Sequence, residues 1–367
     1  MSLLTIGPKL LTSDSRIIDG TLTKSLCVAC GLGFSSSVNV IRAGHYADDY
    51  ILDVLPESFN VEYNRTRSEK IASDIDSLVS RHRASTQASI LDVGCGSGRL
   101  MAQLKKRWSN SSAVGIEPNN AARKQASNFG FTVYESVSEL QSHSFDIVTC
   151  IAVLEHVNDP VMLMQQMAQL LSPDGLIVIA VPSRAMRSHD LWVADHYFHY
   201  MGAHIEHMAR SSGMTYVDAI VSDNSSSLSY YLFRKLPTEL MQEPFASKDW
   251  LAAKEDSTPF RYLLEIERDS TLTLIDQVYN FIHGYQNLYI YGIGERFMFL
   301  NSVEQLRPDI LQAYLVDDNQ ERARLIAKRT VSSFEELTSH DITSSRWLCT
   351  WDATSKLAGV TDTLIAQ

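Results

Sequence analysis

The chain has 367 residues, of which 45% are apolar and 20% are charged, and its formal net charge is −11. This length predicts two or three domains of ordinary globular composition. The acidic balance argues against nucleic acid as a partner, because phosphate binding needs a positive surface. We find neither an apolar run of membrane-span length nor a signal-peptide pattern in MSLLTIGPKLL, so no membrane partner is expected. Five scattered cysteines predict a reducing, cytoplasmic location without disulfides.

Residues 1–65 have an irregular pattern that contains the turn CVACG and the aromatic stretch HYADDY. A structural zinc site needs four ligands. No cysteine or histidine precedes Cys27, and beyond Cys30 the nearest candidate is His45. We therefore predict no metal site and interpret residues 1–65 as a cap that covers an active site with Tyr46 and Tyr50.

Strand and helix patterns alternate over residues 66–235. Apolar residues at helical spacing predict a helix over 68–83. Strand-like runs then alternate with helical ones: ASILDV, GRLMAQLKKRW, SAVGIE, NNAARKQASNF, FTVYE, FDIVTCIAV, a helix over 161–171, and GLIVIAV. TYVDAIVS and LSYYLFRK follow as a closing pair of strands. The alternation predicts a largely parallel sheet covered by helices on both faces.

Residues 236–258 are polar and have prolines within and close to them, which predicts a linker. A long helix over 260–283 opens the last region, 259–367. A second alternation follows: LYIYGIG, a helix, LQAYLVDDN, the segment VSSFEEL, RWLCTWD and a last helix. This order predicts a second, smaller α/β domain.

The most informative stretch is ILDVGCGSGRL, a strand that runs into a turn and a helix. Glycines stand at positions 94, 96 and 98, where the backbone must turn sharply and lie against a ligand. A nicotinamide loop would read G-x-G-x-x-G, but Arg99 stands where the third glycine would be needed. Asp92, just before the loop, would repel a pyrophosphate and suits a cation such as S-adenosylmethionine. Glu117, about 25 residues further on, is placed to accept both ribose hydroxyls.

Four motifs, LDVGCGSGRL, VGIEP, FDIVTCIAVLEHVNDP and LLSPDGLIVIAVPS, occur in this order over about residues 66–235. Together they resemble the consecutive motifs of class I S-adenosylmethionine-dependent methyltransferases. The resemblance implies a Rossmann-like core with a seven-stranded, mostly parallel sheet, and S-adenosylmethionine as the cofactor, with S-adenosylhomocysteine as product. It implies a cofactor site made of Asp92, Gly94, Cys95, Gly96, Gly98, Glu117, Pro118, Ser136, Cys150 and Ile151.

Methyl transfer is a direct displacement, so the enzyme mainly holds nucleophile, methyl and sulfur in line. A base helps when the acceptor is a hydroxyl or a carbon acid. The candidates are His156 in LEHV, after the fourth strand, and His196, His199 and Tyr200 in HYFHY, after the fifth strand. Which imidazole faces the acceptor stays open, and His156 alternatively organises the cofactor pocket.

A second loop, LYIYGIGERF, keeps Gly292 and Gly294, but Phe297 stands at the next position that a dinucleotide would need. This region resembles the Rossmann-like C-terminal domain of sugar C-methyltransferases. CVACGLGF resembles the second half of a zinc ribbon that such enzymes carry, with the first half missing, so zinc is not expected. We predict one cofactor, in the first loop, and leave nucleotide binding by the second open.

The domain order implies a small polar acceptor: a nucleotide-linked sugar, or a glycan or natural-product intermediate. Carbon, oxygen or nitrogen methylation stays open, and the chain is expected to be a monomer or a homodimer. One alternative is methylation of a non-sugar natural product, with the C-terminal domain used for dimerisation. Another is a non-catalytic, cofactor-binding regulatory scaffold.

Overall fold

The fold is a computed structural model that describes most of the chain. The described residues are 1–14, 16–36, 44–50, 61–83, 87–140, 143–183, 190–221, 227–236, 260–293, 295–350, 357, 360 and 362–366. Apart from Leu236, the predicted linker 236–258 lies outside these ranges, as do Gly294 and residues 351–356, where the predicted last helix would begin.

The strands fall in three groups along the chain: an N-terminal group, a middle group and a C-terminal group. In chain order they are β1 (Ser2–Ile6), β2 (Lys9–Leu11), β3 (Ile17–Asp19), β4 (Leu22–Leu26), β5 (Gly33–Ser35), β6 (Ser89–Val93), β7 (Ser112–Ile116), β8 (Thr132–Tyr134), β9 (Phe145–Ile151), β10 (Leu171–Pro182), β11 (Phe198–His199), β12 (Met214–Ile220), β13 (Leu228–Lys235), β14 (Leu288–Tyr291), β15 (Tyr314–Val316), β16 (Arg346–Cys349) and β17 (Thr363–Ile365).

The helices lie between the strands. They are α1 (Val61–Ser80), α2 (Arg99–Arg107), α3 (Asn120–Asn128), α4 (Pro160–Gln169), α5 (Gly202–Ser211), α6 (Phe260–Ile282), α7 (Glu295–Ser302), α8 (Arg307–Gln312), α9 (Gln320–Ala327) and α10 (Ser339–Thr343). A wide π-type turn spans His45–Asp49, and 3₁₀ turns span Val137–Leu140, Leu154–His156, Asp190–Trp192 and Phe334–Glu336. Within the described ranges, none of the helices is both long and apolar enough to cross a membrane.

The chain divides into two compact units. The first unit comprises Met1, 26–188 and 196–263, and the second comprises 2–25, 189–195 and 264–367. The predicted division at residues 65 and 259 stays a prediction, and the units differ from it because residues 2–25 belong with the C-terminal region. Within the second unit, a hydrogen bond joins residues 2–25 to the segment 189–195: the amide of Ala194 donates to the carbonyl of Leu11 at 2.7 Å.

The first unit is built on a seven-stranded sheet in the order β12-β13-β10-β9-β6-β7-β8. Neighbouring strands are parallel except where β13 pairs with β10 and β12. This confirms the predicted seven-stranded, mostly parallel sheet. From β6 the chain goes outward to β7 and β8, and then returns to the other side of β6 to add β9 and β10. Ligands of such sheets bind beyond the carboxyl ends of the strands, where the strand order reverses.

Both faces of this sheet are covered, as the alternating pattern predicted. Ile90 on β6 packs with Ile75 of α1 and Leu104 of α2, and its neighbour Leu91 packs on the opposite face with Met164 of α4. Consecutive strand residues point to opposite faces, so one apolar run supplies both layers. The packing leaves the loops at the carboxyl ends of β6, β7 and β9 as the edge where a site can form.

The second unit contains a four-stranded, wholly parallel sheet in the order β15-β14-β16-β17. Its core includes Trp347, Tyr289 and Val316. Residues 2–25 of this unit form two antiparallel pairs, β1 with β4 and β2 with β3. The sequence predicted a last helix after β16, whereas the described residues there form β17, whose Leu364 and Ile365 extend the sheet.

Candidate active site

The glycine loop after β6 has the sharp turn that its sequence predicted. Gly94, Gly96 and Gly98 all have positive φ angles, of 74°, 52° and 80°. The amide of Gly94 donates to the carbonyl of Ile116 at 2.8 Å, which fixes the loop against the end of β7. A Cβ on Gly94 would lie 2.4 Å from the Val153 side chain. Position 94 therefore needs glycine for both conformation and packing.

Two buried carboxylates lie at the ends of the strands that frame this loop. Glu117, 9% exposed, accepts hydrogen bonds from the amide of Gly96 at 2.9 Å and from the amide of Asn119 at 2.8 Å. Asp92, 2% exposed, accepts from the hydroxyl of Thr149 at 2.6 Å. An acidic edge with a glycine turn fits a cationic ligand that carries hydroxyls, and it fits a pyrophosphate poorly.

Two predicted cofactor residues turn their thiols into the core. Cys95 points towards Gly115, where an added Cβ would lie 2.4 Å from its sulfur, so its backbone and not its thiol faces the loop. Cys150 is fully buried at the end of β9. Burial, together with the nearby charges of Glu155 and Asp92, raises the pKa of the Cys150 thiol well above its ordinary value. The Cys150 thiol is therefore neutral and packed in the core.

Three other predicted cofactor residues lie along the same edge with different exposure. Pro118 is exposed, and Ile151 at the end of β9 is half-buried. Ser136 is exposed, and its hydroxyl lies 2.6 Å from that of Ser138. Ser136 follows β8, where the resemblance places the adenine side of the cofactor.

Two of the predicted base candidates, His156 and His196, meet near the end of β9. The rings of His156 and His196 are 4.6 Å apart and nearly perpendicular. His156 ends the 3₁₀ turn after β9, and His196 comes two residues before β11. The amide of Tyr197, next to His196, donates to the carbonyl of Glu155 at 2.7 Å, which holds the two segments together. The structure thus brings together two of the four predicted base candidates.

The structure does not bring the other two candidates, His199 and Tyr200, to this pair. His199 is 1% exposed on β11, which pairs with β5, and Tyr200 is 2% exposed in the core with its hydroxyl 3.4 Å from the carbonyl of Leu154. Burial, together with the nearby charge of Glu155, raises the pKa of Tyr200. Packing of the aromatic run on the sheet explains their burial.

The segment 44–50, part of the predicted cap, contacts the same site. The hydroxyl of Tyr46 lies 2.8 Å from Nδ1 of His156. The side-chain amide of Asn119 donates to the carbonyls of Tyr46 and Tyr50 at 3.1 and 3.0 Å. Sequence reasoning missed Asn119, although its position before α3 marks it as a helix N-cap. Its partners lie about seventy residues earlier and leave no local signal.

A metal ion is the other ligand that this side of the site could hold. Glu155, His156 and His196 each offer one ligand atom, and these atoms lie within 4.8 Å of one another. A carboxylate with two imidazoles is a donor set that zinc-like cations accept. The sequence predicted no metal, and that expectation stays a prediction.

The cysteine pair of the predicted cap lies in a separate turn. Cys27 and Cys30 flank this turn, which is closed by a hydrogen bond from the amide of Gly31 to the carbonyl of Cys27 at 2.9 Å.

The fold and the loop together define a Rossmann-like, class I methyltransferase core. The comparison with protein families agrees: residues 63–215 match a family model described as a methyltransferase domain. The chain thus carries a methyltransferase domain over these residues. Of the matched range, residues 63–188 and 196–215 belong to the first unit and 189–195 to the second.

Curated relatives share this part of the chain. The ubiquinone biosynthesis O-methyltransferase of Actinobacillus pleuropneumoniae serotype 7 is 32% identical over 114 residues, which cover 28% of this chain and 49% of that protein. The enzyme of the same name from Colwellia psychrerythraea is 32% identical over 130 residues, which cover 33% of this chain and 52% of that protein. The chain spans about half the length of the curated relatives it matches.

Solved methyltransferase structures also align with about half of the chain. An S-adenosylmethionine-dependent methyltransferase from Clostridium acetobutylicum aligns with a TM-score of 0.37 at 14% identity, and covers 51% of this chain and 97% of that chain. The CcbJ methyltransferase from Streptomyces caelestis aligns with a TM-score of 0.38 at 14% identity, and covers 46% of this chain and 90% of that chain.

Proposed function

We propose that this protein transfers a methyl group from S-adenosylmethionine to a small polar acceptor. One observation carries the proposal: the acid-lined glycine loop and a pair of imidazoles lie at the same edge of one sheet. Val153, which packs on Gly94, is only three residues before His156. One short stretch of chain therefore packs on the donor loop and carries one of the two candidate bases.

On the donor side, the loop and the two acids share the binding. Glu117 holds the ribose hydroxyls, Asp92 and the backbone at Gly94 and Gly96 lie along the methionine part, and Ser136 approaches the adenine. When bound, S-adenosylmethionine supplies a methyl carbon attached to a positively charged sulfur. The carboxylate of Asp92 favours that positive charge, because a buried opposite charge stabilises it.

On the acceptor side, His156 or His196 acts as the base. An unprotonated ring nitrogen takes the acceptor's proton while the acceptor atom bonds to the methyl carbon and the carbon–sulfur bond breaks. We propose the tautomer in which Nδ1–H of His156 donates to the Tyr46 oxygen, 2.8 Å away, so that the unprotonated Nε2 is the reactive nitrogen of that ring. We assign no base role to His199 or Tyr200, because both side chains are almost completely buried.

The acceptor that we propose is a nucleotide-linked sugar, or a glycan or natural-product intermediate. The support is the predicted domain order, in which a second, Rossmann-like domain follows the methyltransferase core; the wholly parallel sheet of the second unit fits that description. We propose that this second domain has no cofactor of its own. We further propose that the protein is a cytoplasmic monomer or homodimer.

A hydroxyl on a non-sugar ring compound is a second candidate acceptor. The relatives that match the core are named as O-methyltransferases of ubiquinone biosynthesis. Two imidazoles next to the donor loop suit the deprotonation of any weakly acidic hydroxyl, so the site chemistry is compatible with both acceptor classes. The third possibility, a regulatory scaffold without activity, would bind the donor and transfer no methyl.

The test combines donor binding with transfer. Calorimetry should show that S-adenosylhomocysteine binds the purified chain, and radiolabelled S-adenosylmethionine should methylate members of a panel of nucleotide-linked sugars and small phenols. His156→Ala and His196→Ala should separate the base from its neighbour, with a loss of about 10²–10⁴-fold in kcat for the base. His207→Ala, an exposed histidine on α5, is the control and should leave the rate unchanged.

The outcomes discriminate among the proposals. Absent S-adenosylhomocysteine binding would refute the donor, and transfer to phenols alone would refute the sugar acceptor. Full activity in both His156→Ala and His196→Ala would refute the base assignment. Binding without transfer to any acceptor would favour the scaffold.

A further inference from the structure

Asn119 is a junction between the donor loop and a remote segment. Its amide donates to Glu117, and its side-chain oxygen accepts from the amide of Ala122 at 3.0 Å, which caps α3. Both hydrogens of its side-chain nitrogen go to carbonyls of the segment 44–50. The residue is 3% exposed, and its bonds to Glu117 and Ala122 are buried while those to the segment are partly buried.

The same segment also reaches His156, through the side chain of Tyr46. The Tyr46 hydroxyl holds His156 at 2.8 Å, and the Tyr46 and His156 rings are 5.3 Å apart. The segment is compact in itself, because the amide of Tyr50 donates to the carbonyl of His45 at 2.9 Å. An unbroken chain of hydrogen bonds and backbone therefore runs from Glu117 through Asn119 and residues 44–50 to His156.

We infer that residues 44–50 form a strap through which binding of the adenosyl donor at Glu117 fixes the orientation of His156. Asn119 and Tyr46 are the positioning residues of this strap. The inference rests on the proposed function, and it adds a coupling between the two halves of that site. It also gives the segment HYADDY a role that the chemistry of transfer alone does not require.

Donor binding at Glu117 and docking of the strap should stabilise each other. Glu117 already accepts from Gly96 and Asn119, so ribose hydroxyls bind best when the junction holds the carboxylate in place. Binding in turn favours the state in which Asn119 keeps the strap docked. Such coupling is reciprocal. Releasing the strap must weaken the binding of the donor by the same factor by which the bound donor stabilises the docked strap.

The test uses S-adenosylhomocysteine as the probe, on the full chain. Asn119→Ser keeps an oxygen that can cap α3 but removes both donors to the strap. Tyr46→Phe removes only the hydroxyl on His156. The control is Asp159→Ser, which also places a serine at a helix N-cap. Asp159 caps α4, where its side chain accepts from the amide of Met162 at 2.9 Å.

Three readouts apply to each variant: calorimetric affinity, hydrogen exchange of the peptide containing residues 44–50, and carbethoxylation of His156 followed by mass spectrometry. In the parent chain and in Asp159→Ser, saturating ligand should slow both the exchange and the modification. In Asn119→Ser, affinity should fall about fivefold, the low end of measured couplings, and both effects should vanish even at saturation. In Tyr46→Phe, slowed exchange should remain while His156 becomes reactive.

Two results would overturn the strap. Binding of S-adenosylhomocysteine without slower exchange in residues 44–50 would show that the donor does not order the segment. Protection of His156 in saturated Asn119→Ser would show that the ligand shields the ring directly. A failure of the parent chain to bind S-adenosylhomocysteine would instead refute the proposed function.

Discussion

The two units each contain a parallel sheet with a glycine turn after its first strand, and the turns share a hydrogen-bond pattern. In the first unit the amide of Gly94 donates to the carbonyl of Ile116 at 2.8 Å, and in the second the amide of Gly292 donates to that of Val316 at 3.0 Å. Gly94 and Gly292 both have positive φ, of 74° and 91°. The two turns therefore have the same backbone hydrogen bond and the same left-handed glycine conformation.

The carboxylates beside the turns also correspond. Glu117 accepts from the amide of Asn119, two residues ahead, at 2.8 Å, and Asp317 accepts from the amide of Asn319 at the same distance. Each carboxylate also accepts from its glycine turn, Glu117 from Gly96 and Asp317 from the amide of Ile293 at 2.6 Å. An acid at the end of the second strand therefore stabilises the turn before any ligand is considered.

The units differ in what else converges on the turn. In the first unit, a buried Asp92, the strap and two imidazoles meet there. In the second unit, the side chain of Phe297 is buried at the position where a dinucleotide loop needs glycine, and Asp318 accepts from the hydroxyl of Tyr291 at 2.7 Å. The comparison teaches that turn and acid belong to the fold, whereas the proposed donor site depends on the surrounding groups.

The largest effect that would test this comparison is expected from Gly94→Ala. A methyl group there meets Val153 at 2.4 Å with φ at 74°, so overpacking and backbone strain should together cost about 3 kcal/mol of unfolding free energy in urea. Gly130→Ala is the control: φ is 83° but no heavy atom lies within 4 Å of the new Cβ, and about 1 kcal/mol is expected. Equal losses would show that the packing on Val153 is unimportant.

The next effect concerns the ligand. At a hundredfold excess over its Kd, S-adenosylhomocysteine should stabilise the first unit by about 2.7 kcal/mol. Cys150 and Cys349 occupy matching buried positions, at the ends of β9 and β16 beside the strands that carry the turns. Iodoacetamide in moderate urea should therefore label Cys150 about a hundredfold more slowly with ligand, while labelling of Cys349 stays unchanged. Equal protection of both thiols would contradict a donor site confined to the first unit.

The smallest effect separates the two acids. Glu117→Ala should weaken the binding of S-adenosylhomocysteine by about 2 kcal/mol, measured by calorimetry, because a charged hydrogen-bond partner of the ribose is lost. Asp317→Ala should leave the affinity unchanged, although both variants lose bonds to their turns and should melt earlier. An unchanged affinity in Glu117→Ala would refute the ribose assignment, and a loss in Asp317→Ala would place a ligand in the second unit.

Much of the core could be predicted from the sequence because its signals are local. Strands β6, β7 and β9 and helices α2 and α3 follow their periodic patterns closely. The glycine turn and Glu117 were also readable, because such a turn permits few residue types. Helix α1 begins at Val61, before the predicted start at Ser68, since polar positions on a first turn carry no periodic signal.

What the sequence did not predict depends on distant partners. The bonds from Asn119 to the segment 44–50 join polar groups about seventy residues apart, and no composition or spacing marks such pairs. The same applies to residues 2–25, whose short strands pair with each other and group with the C-terminal region. Among the base candidates, burial separated His199 and Tyr200 from the histidine pair, and burial of adjacent aromatic residues is decided by tertiary packing.

The contacts of residues 2–25 also determine when this part of the protein can complete its folding during synthesis. Lys24 is fully buried and its ammonium donates to the carbonyl of Val193 at 2.9 Å, while the guanidinium of Arg268 donates to the carbonyl of Leu3 at 3.5 Å. At ribosomal speeds of about 5–20 residues per second, Lys24 waits roughly 10–35 s for Val193. During that interval the nascent first strands stay exposed, so chaperones and proteases have their best access then.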